Sequence, residues 1–422
     1  MNFVKMVKPL PFLSYSFVGF ILSISALPLY IATPSIYAGL GQTIFVTGMM
    51  LMIIRLVDAF TDPIFGSLID RTAGHRFLRW LNPSLIILAS SVFFLFNPPE
   101  FLSSNSLFVF FWFFIFTLIV SISNGIANIA YQSWAFAWSS QAETRNKLIS
   151  GREVFVLIGL IVSSVLIALE SFAALSLIIF LSSIVSVIWL LLIKTVSIDT
   201  AFSIKVNNKR NFNFFSFELK RMKLFLVLCF FNTFANSIPA LLFVFFFSDA
   251  LLLEKSEGGI LLSAYFLSAA ISIPLWRKTI SKIGNKQTWF TALALSIVFF
   301  ITVLFLEEGH FYPFLFICII TGVALGGELI SAPAVLNDLI PQKKNETSVA
   351  STYFGIWSLV NKIAIALASG FCLPLLGIMG YDPNLVTETG QSSLMFMYAG
   401  APCVIKLVCM ILLGYFIKKA NV

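Results

Sequence analysis

Ile53-Ile54-Arg55-Leu56-Val57-Asp58-Ala59-Phe60-Thr61-Asp62-Pro63 places three ionisable side chains inside an apolar run long enough to cross a membrane. Arg55 lies three residues before Asp58 and Asp62 four after it, so on a helix all three share one face. At mid-membrane each such group costs about 2.5–3.5 kcal/mol on insertion scales. Three on one stripe are tolerable where a protein interior or a polar cavity receives them, and the stripe reads as an ion or substrate pathway. The other reading is a neutralised structural ion pair. One Arg can pair with one Asp, which leaves a second carboxylate over.

The rest of the chain fits a membrane. Of 422 residues, 59% are hydrophobic and 11% charged, and the mean hydropathy is +0.96. Soluble domains carry about 25% charged residues, so this chain could not cover a water-facing surface of its size. Apolar runs recur at about 10–33, 42–69, 78–97, 106–138, 152–170 and 173–194. A second set follows at about 223–248, 257–277, 287–306, 311–338, 347–377 and 392–417. Each is long enough at 1.5 Å per residue to span about 30 Å of hydrocarbon, and none alternates with the period of a barrel strand. The expected fold is an all-α polytopic membrane protein with twelve transmembrane helices in two six-helix halves. The first run is too long for a signal-peptide core and is expected to be retained.

Basic residues set the orientation. Lys5 and Lys8, then Arg71, Arg76 and Arg79, then Arg145, Lys147 and Arg152 fall at alternate ends of the runs, and the pattern continues to Lys418 and Lys419. The intervening loops carry Glu100, Glu170, Asp249, Glu254, Glu257, Glu307, Glu308, Asp382 and Glu388, with Lys255 as their lone base. The positive-inside rule places both termini in the cytoplasm of a cytoplasmic membrane. Topology thus accounts for the formal charge of +8 without a nucleic-acid surface. Residues 195–222 are expected to form a basic cytoplasmic linker between halves at 1–194 and 223–422, either resting on anionic headgroups or simply solvated.

The halves echo one another. Gly74-His75-Arg76 follows the second run, and Gly284-Asn285-Lys286 follows the eighth, each with Gly two residues before a base. Paired halves of this kind are the sequence mark of a rocking transporter. The stretch Gly66-Ser67-Leu68-Ile69-Asp70-Arg71-Thr72-Ala73-Gly74-His75-Arg76 resembles the G-x-L-x-D-R-x-G-x-R signature of the major facilitator superfamily. That resemblance implies a cytoplasmic gating role for Asp70, Arg71 and Arg76.

Within the superfamily, Arg55 to Pro63 resembles the R-x-x-D-A-x-x-D-P second helix of the glycoside–pentoside–hexuronide:cation symporters, the melibiose permease family. Asn128 to Ser133, Ser150-Gly151-Arg152-Glu153, Gly355 to Lys362 and Gly380-Tyr381-Asp382-Pro383-Asn384 are similar to further family segments in the same order. The resemblance implies symport of a small polar solute, a sugar or glycoside first, with Na⁺ or H⁺ as coupling ion and no other cofactor. It makes Asp58 and Asp62 cation ligands, with Asn128 where the family has a third carboxylate. Oxygen ligands suit a hard cation, and an amide can offer its carbonyl. The missing negative charge leaves Na⁺, a proton, or an uncoupled facilitator open. By the same resemblance Arg55 and Lys362 balance charge, and the substrate lies between the halves near Tyr131, Gln132, Arg152 and Trp357.

Two roles stay open for Arg152: substrate contact, or a gating ion pair with Glu153. Asp338, near the cytoplasmic end of its run, is read as a turn or gate residue, and Glu328 as a hydrogen-bond partner or a second site. The five Cys lie in apolar runs without metal or redox spacing and are packing residues. No phosphate-cradling loop is present, which argues against ATP-driven transport. An amphiphile carrier, as in related lysolipid symporters, is the rival on the same fold. A membrane enzyme would need a catalytic cluster, and none is found. The expected partners are a small-molecule substrate and surrounding lipid, with a monomeric chain.

Overall fold

The computed structural model describes residues 9–31, 44–72, 74–99, 106–138, 141–169, 171–193, 220–340, 350–381 and 387–420. Residues 195–219 of the expected linker and the Asp382-Pro383-Asn384 segment lie outside the described residues, while 220–222 of that linker belong to the first turn of a helix. Among the described residues all regular structure is helical. In chain order the helices are α1 (Pro9–Ile31), α2 (Ile44–Arg71), α3 (Arg76–Phe96), α4 (Ser106–Trp138), α5 (Ala142–Ala168) and α6 (Phe172–Ile193). They continue with α7 (Lys220–Phe245), α8 (Lys255–Ile283), α9 (Asn285–Phe300), α10 (Phe311–Leu339) and α11 (Ala350–Ile378). The last, α12, runs through Glu388–Met395, a π turn at Phe396–Gly400, and Ala401–Ala420. Ten helices among the described residues are long and apolar enough to cross a membrane, and α1 adds a shorter apolar stretch, Pro11–Ala26.

Helix ends differ from the apolar runs for a physical reason. α5 begins at Ala142, ten residues before its run, and an i,i+4 pair between Lys147 and Glu143 at 3.3 Å lies on that polar extension. α8 likewise continues past Arg277 and Lys278 to Ile283 and stops at Gly284, whose φ of +86° suits a residue without Cβ. Gly74 has φ +72° at the matching turn after α2, so both glycines of the sequence echo occupy left-handed backbone.

Two compact units emerge. One contains α1–α6 together with α11 up to Leu359; the other contains α7–α10, α11 from Val360, and α12. In the first unit α1 packs on α5, α3 on α4 and α6, and α2 on α4. Small residues permit the close approaches: a Cβ on Gly159 would stand 2.0 Å from Ser23 Oγ and 2.7 Å from the Phe20 carbonyl. The first turns of α11 cross α2 equally closely. A Cβ on Gly66 would lie 2.5 Å from the Ser351 carbonyl, and one on Gly355 2.7 Å from the Asp62 carbonyl. In the second unit α10 packs on α8 and α9, and α12 on α7 and α9. Gly322 and Gly326 of α10 are spaced so that α8 approaches backbone to backbone.

Candidate functional site

The outward stripe of α2 is Ile53, Leu56, Val57, Phe60, Ile64 and Leu68, all exposed and apolar, as a lipid-facing surface requires. Its inward stripe is Ile54, Asp58, Ala59, Asp62, Pro63, Gly66, Ile69 and Asp70. Asp58 is 4% exposed and Asp62 1%. The two carboxylates therefore lie in the protein interior, on a helix that packs on α4, while Arg55 is half-buried one turn earlier. Helical period alone produces this division, because the acids are four residues apart and the apolar residues fill the opposite face.

On α4, Asn128 is half-buried and its Oδ1 accepts a hydrogen bond from Gln132 Nε2 at 2.5 Å. That bond turns the Asn128 carbonyl toward its own helix neighbour, so a cation would have to share this oxygen. Gln132 Oε1 is buried with no hydrogen-bond partner among the described residues, and so is the indole Nε1 of Trp357. Trp357 is half-buried, edge-to-face with Phe354 at 6.1 Å. One orphan acceptor and one orphan donor thus sit in this unit on two residues singled out for a polyhydroxylated solute.

Tyr131 and Arg152 fall in a different, denser cluster. Tyr131 is 1% exposed and stacks at 4.4 Å on Tyr15 of α1, whose hydroxyl donates to the Tyr131 carbonyl at 3.2 Å. Trp134 and Trp138 close around Tyr15 at 5.7 Å each. Arg152 is buried and donates from Nε to Glu153 Oε1 at 2.8 Å, with a second, shorter bond from its Nη2 to the same oxygen. Of the two roles open for Arg152, this pairing favours the ion pair. Tyr15 is absent from the sequence-based set because a tyrosine in an apolar run carries no periodic or charge signal.

Asp70 ends the inward stripe of α2 and meets the N-terminus of α11. Its Oδ1 accepts from the Ser351 backbone N–H at 3.1 Å, and Oδ2 from the Thr352 N–H and hydroxyl, both at 2.8 Å. Arg76 Nη1 stands 3.7 Å from Oδ1. A carboxylate from another helix thereby satisfies orphan donors of α11 and faces the positive end of its dipole. Arg71 is exposed and takes no part in these bonds. Glu153 belongs to the Arg152 pair, and Asp338, exposed at the end of α10, accepts from Asn285 Nδ2 at 2.6 Å in the second unit. The five residues read as one gate are thus spread over three places. Asp70→Ala should lower stability by about 1–2 kcal/mol, the usual loss for a helix cap, with Asp70→Asn in between. Melting temperatures of the purified proteins check this.

Lys362 is half-buried on the part of α11 in the second unit, next to Asn361, whose Oδ1 accepts from Thr233 at 2.8 Å. Glu328 is 4% exposed in the same unit and bonded to Lys406, Asn232 and Asn236, none of which the sequence reading singled out. Lys406 carried the same signal as Arg55, a base inside an apolar run.

Comparison with known proteins agrees with this architecture. The family model for "MFS/sugar transport protein" matches residues 14–418. "Uncharacterized symporter YjmB" of Bacillus subtilis (strain 168) is 24% identical over 407 residues, covering 89% of this chain and 84% of that protein. Among solved structures, a bacterial homologue of the iron transporter ferroportin in its outward-facing state superposes with TM-score 0.74 at 15% identity, over 96% of this chain and 99% of that one. The human organic anion transporter MFSD10 gives 0.67 at 13% identity, over 96% and 99% of the two chains. The major facilitator transporter FucP gives 0.66 at 10%, over 97% and 99%. Identities this low speak for the fold alone, whereas the family match covers almost the whole chain. The chain belongs to the MFS/sugar transport protein family of the major facilitator superfamily: it is a multi-pass membrane transporter and not an enzyme.

Proposed function

We propose that the chain is a cation-coupled symporter that takes up a small polar solute, a sugar or glycoside, by alternating access. The burial of Asp58 and Asp62 on one stripe of α2 carries this reading. Buried carboxylates keep their charge only beside a positive partner. Arg55, half-buried one turn earlier, supplies one, and Na⁺ or a proton is the mobile one. Asn128 completes the set of oxygens when Gln132 shares its carbonyl. Binding of the cation neutralises the stripe and readies Gln132 and Trp357 for solute hydroxyls. Tyr131, in its packed cluster, sets the position of α4 rather than touching solute. The Arg152–Glu153 pair and the Asp70 cap act as latches that part when the carrier changes state. The setting is a cytoplasmic membrane with both termini inside, and the chain acts as a monomer.

A thermal-shift screen of purified protein against sugars, uronides, amino acids and lysolipids, with and without Na⁺, tests the reading. A true substrate at a hundred times its Kd adds about 2.7 kcal/mol of stability. A sugar or uronide that stabilises, more so with Na⁺ or at low pH, is the expected result. Stabilisation by lysolipids alone would move the assignment to an amphiphile carrier.

A further inference from the structure

Inside the second unit lies an ionic group that the reading above does not use. Glu328 of α10 and Lys406 of α12 are 4% and 7% exposed, and Lys406 Nζ donates to Glu328 Oε1 at 2.7 Å. The ammonium also donates to Ser296 Oγ of α9 at 2.8 Å. The second carboxylate oxygen, Oε2, accepts from Asn232 and Asn236 of α7 at 3.1 and 2.9 Å. Four helices therefore contribute to one buried ionic cluster, and each oxygen of its carboxylate is engaged.

A buried salt bridge by itself says little, because apolar residues of equal volume often replace one without loss. A further observation separates this group from simple packing. Asn232 is 8% exposed, and while its Nδ2 serves Glu328, its Oδ1 has no hydrogen-bond partner among the described residues. A buried acceptor is thus left unengaged on a residue that itself bonds the carboxylate. Glu328 Oε1 and Ser296 Oγ, the two oxygens on the ammonium, are a carboxylate and a hydroxyl, oxygen types that hold hard cations. Lys406 brings its own cation to that set on a four-carbon stem.

We propose that this cluster is a second monovalent-cation site whose occupant is the chain's own Lys406 ammonium. The tethered cation keeps Glu328 neutralised at every stage of transport. Only the α2 stripe is left to exchange a free ion. Removing the amine should turn the site into one that takes Na⁺ or a small primary ammonium from solution.

The inference does not depend on the role of Asp58 and Asp62, so the test is run in a D58N/D62N background where α2 has no carboxylate pair. The melting temperature of full-length D58N/D62N/K406A is measured in NaCl, methylammonium chloride and choline chloride at equal ionic strength. A saturating rise with Na⁺ or methylammonium, but not with the bulky choline, is expected. The D58N/D62N parent should not respond, and adding E328Q to the triple variant should abolish the response. Identical melting in all three salts overturns the proposal, as does a response that survives E328Q. So does loss of the K406A protein from membranes in every salt, since a pair that only joins helices behaves that way.

Discussion

Asp58→Asn and Asp62→Asn should each abolish concentrative uptake while leaving the protein in the membrane. Each amide keeps nearly the shape of its carboxylate, so α2 retains its inward stripe beside α4 and α11. What disappears is the charge that draws a cation in. A membrane potential supplies about 2.3 kcal/mol per charge per 100 mV. At about 1.4 kcal/mol per tenfold, that amounts to a roughly fiftyfold solute gradient for each coupled cation. The variants should fall to a ratio near one, with downhill exchange retained in part. Accumulation of labelled solute in energised cells, against immunodetected protein, measures this. Undiminished accumulation in both variants would mean that coupling does not run through these carboxylates, and it would remove α2 from the mechanism.

Gly322→Val has the largest structural effect. A Cβ at this position would stand 2.1 Å from Ser268 Oγ and 2.2 Å from the Tyr265 carbonyl. The hydroxyl can rotate away, but the carbonyl belongs to the backbone of α8 and cannot. α8 and α10 must then separate along their shared face, which also carries the Gly326 approach and the bonds that Ser272 and Trp276 donate to the Val323 carbonyl at 3.2 and 2.7 Å. Overpacking commonly costs 1–3 kcal/mol, and a clash with fixed backbone plus the loss of two hydrogen bonds exceeds that. Against a typical total of 5–15 kcal/mol, the yield of monodisperse protein should collapse. Gly259→Val is the control. Nothing lies within 4 Å of its added Cβ, and its yield should stay near wild type.

The sequence reading and the structure part company in particular places. Twelve apolar runs became twelve helices because a lipid setting leaves the backbone few other ways to satisfy its hydrogen bonds. The orientation of Asp58 and Asp62 was legible for a related reason: a four-residue spacing puts both on whichever face the apolar residues leave. The partners of Asp70 were not legible, since backbone N–H groups at the start of α11 exist in every sequence. The placement of Ser351 and Thr352 with the first unit was equally hidden. It follows from close contacts at Gly66 and Gly355, and a glycine gives no hint of what it faces. Lys406 is different. It stood in an apolar run like Arg55, but a single base with no acid in its own run drew no attention. Its partner Glu328 lies seventy-eight residues earlier in the chain. Asn232 and Asn236, neutral and unpatterned within α7, had no signal at all.

The coupling role of the α2 carboxylates can be measured without knowing the solute. The melting temperature of purified wild-type protein should rise with Na⁺ or Li⁺ over choline at fixed ionic strength, or shift with pH alone if the ion is a proton. In the D58N/D62N protein that rise should vanish. A double variant that responds to cations and pH as fully as the wild type would contradict the account.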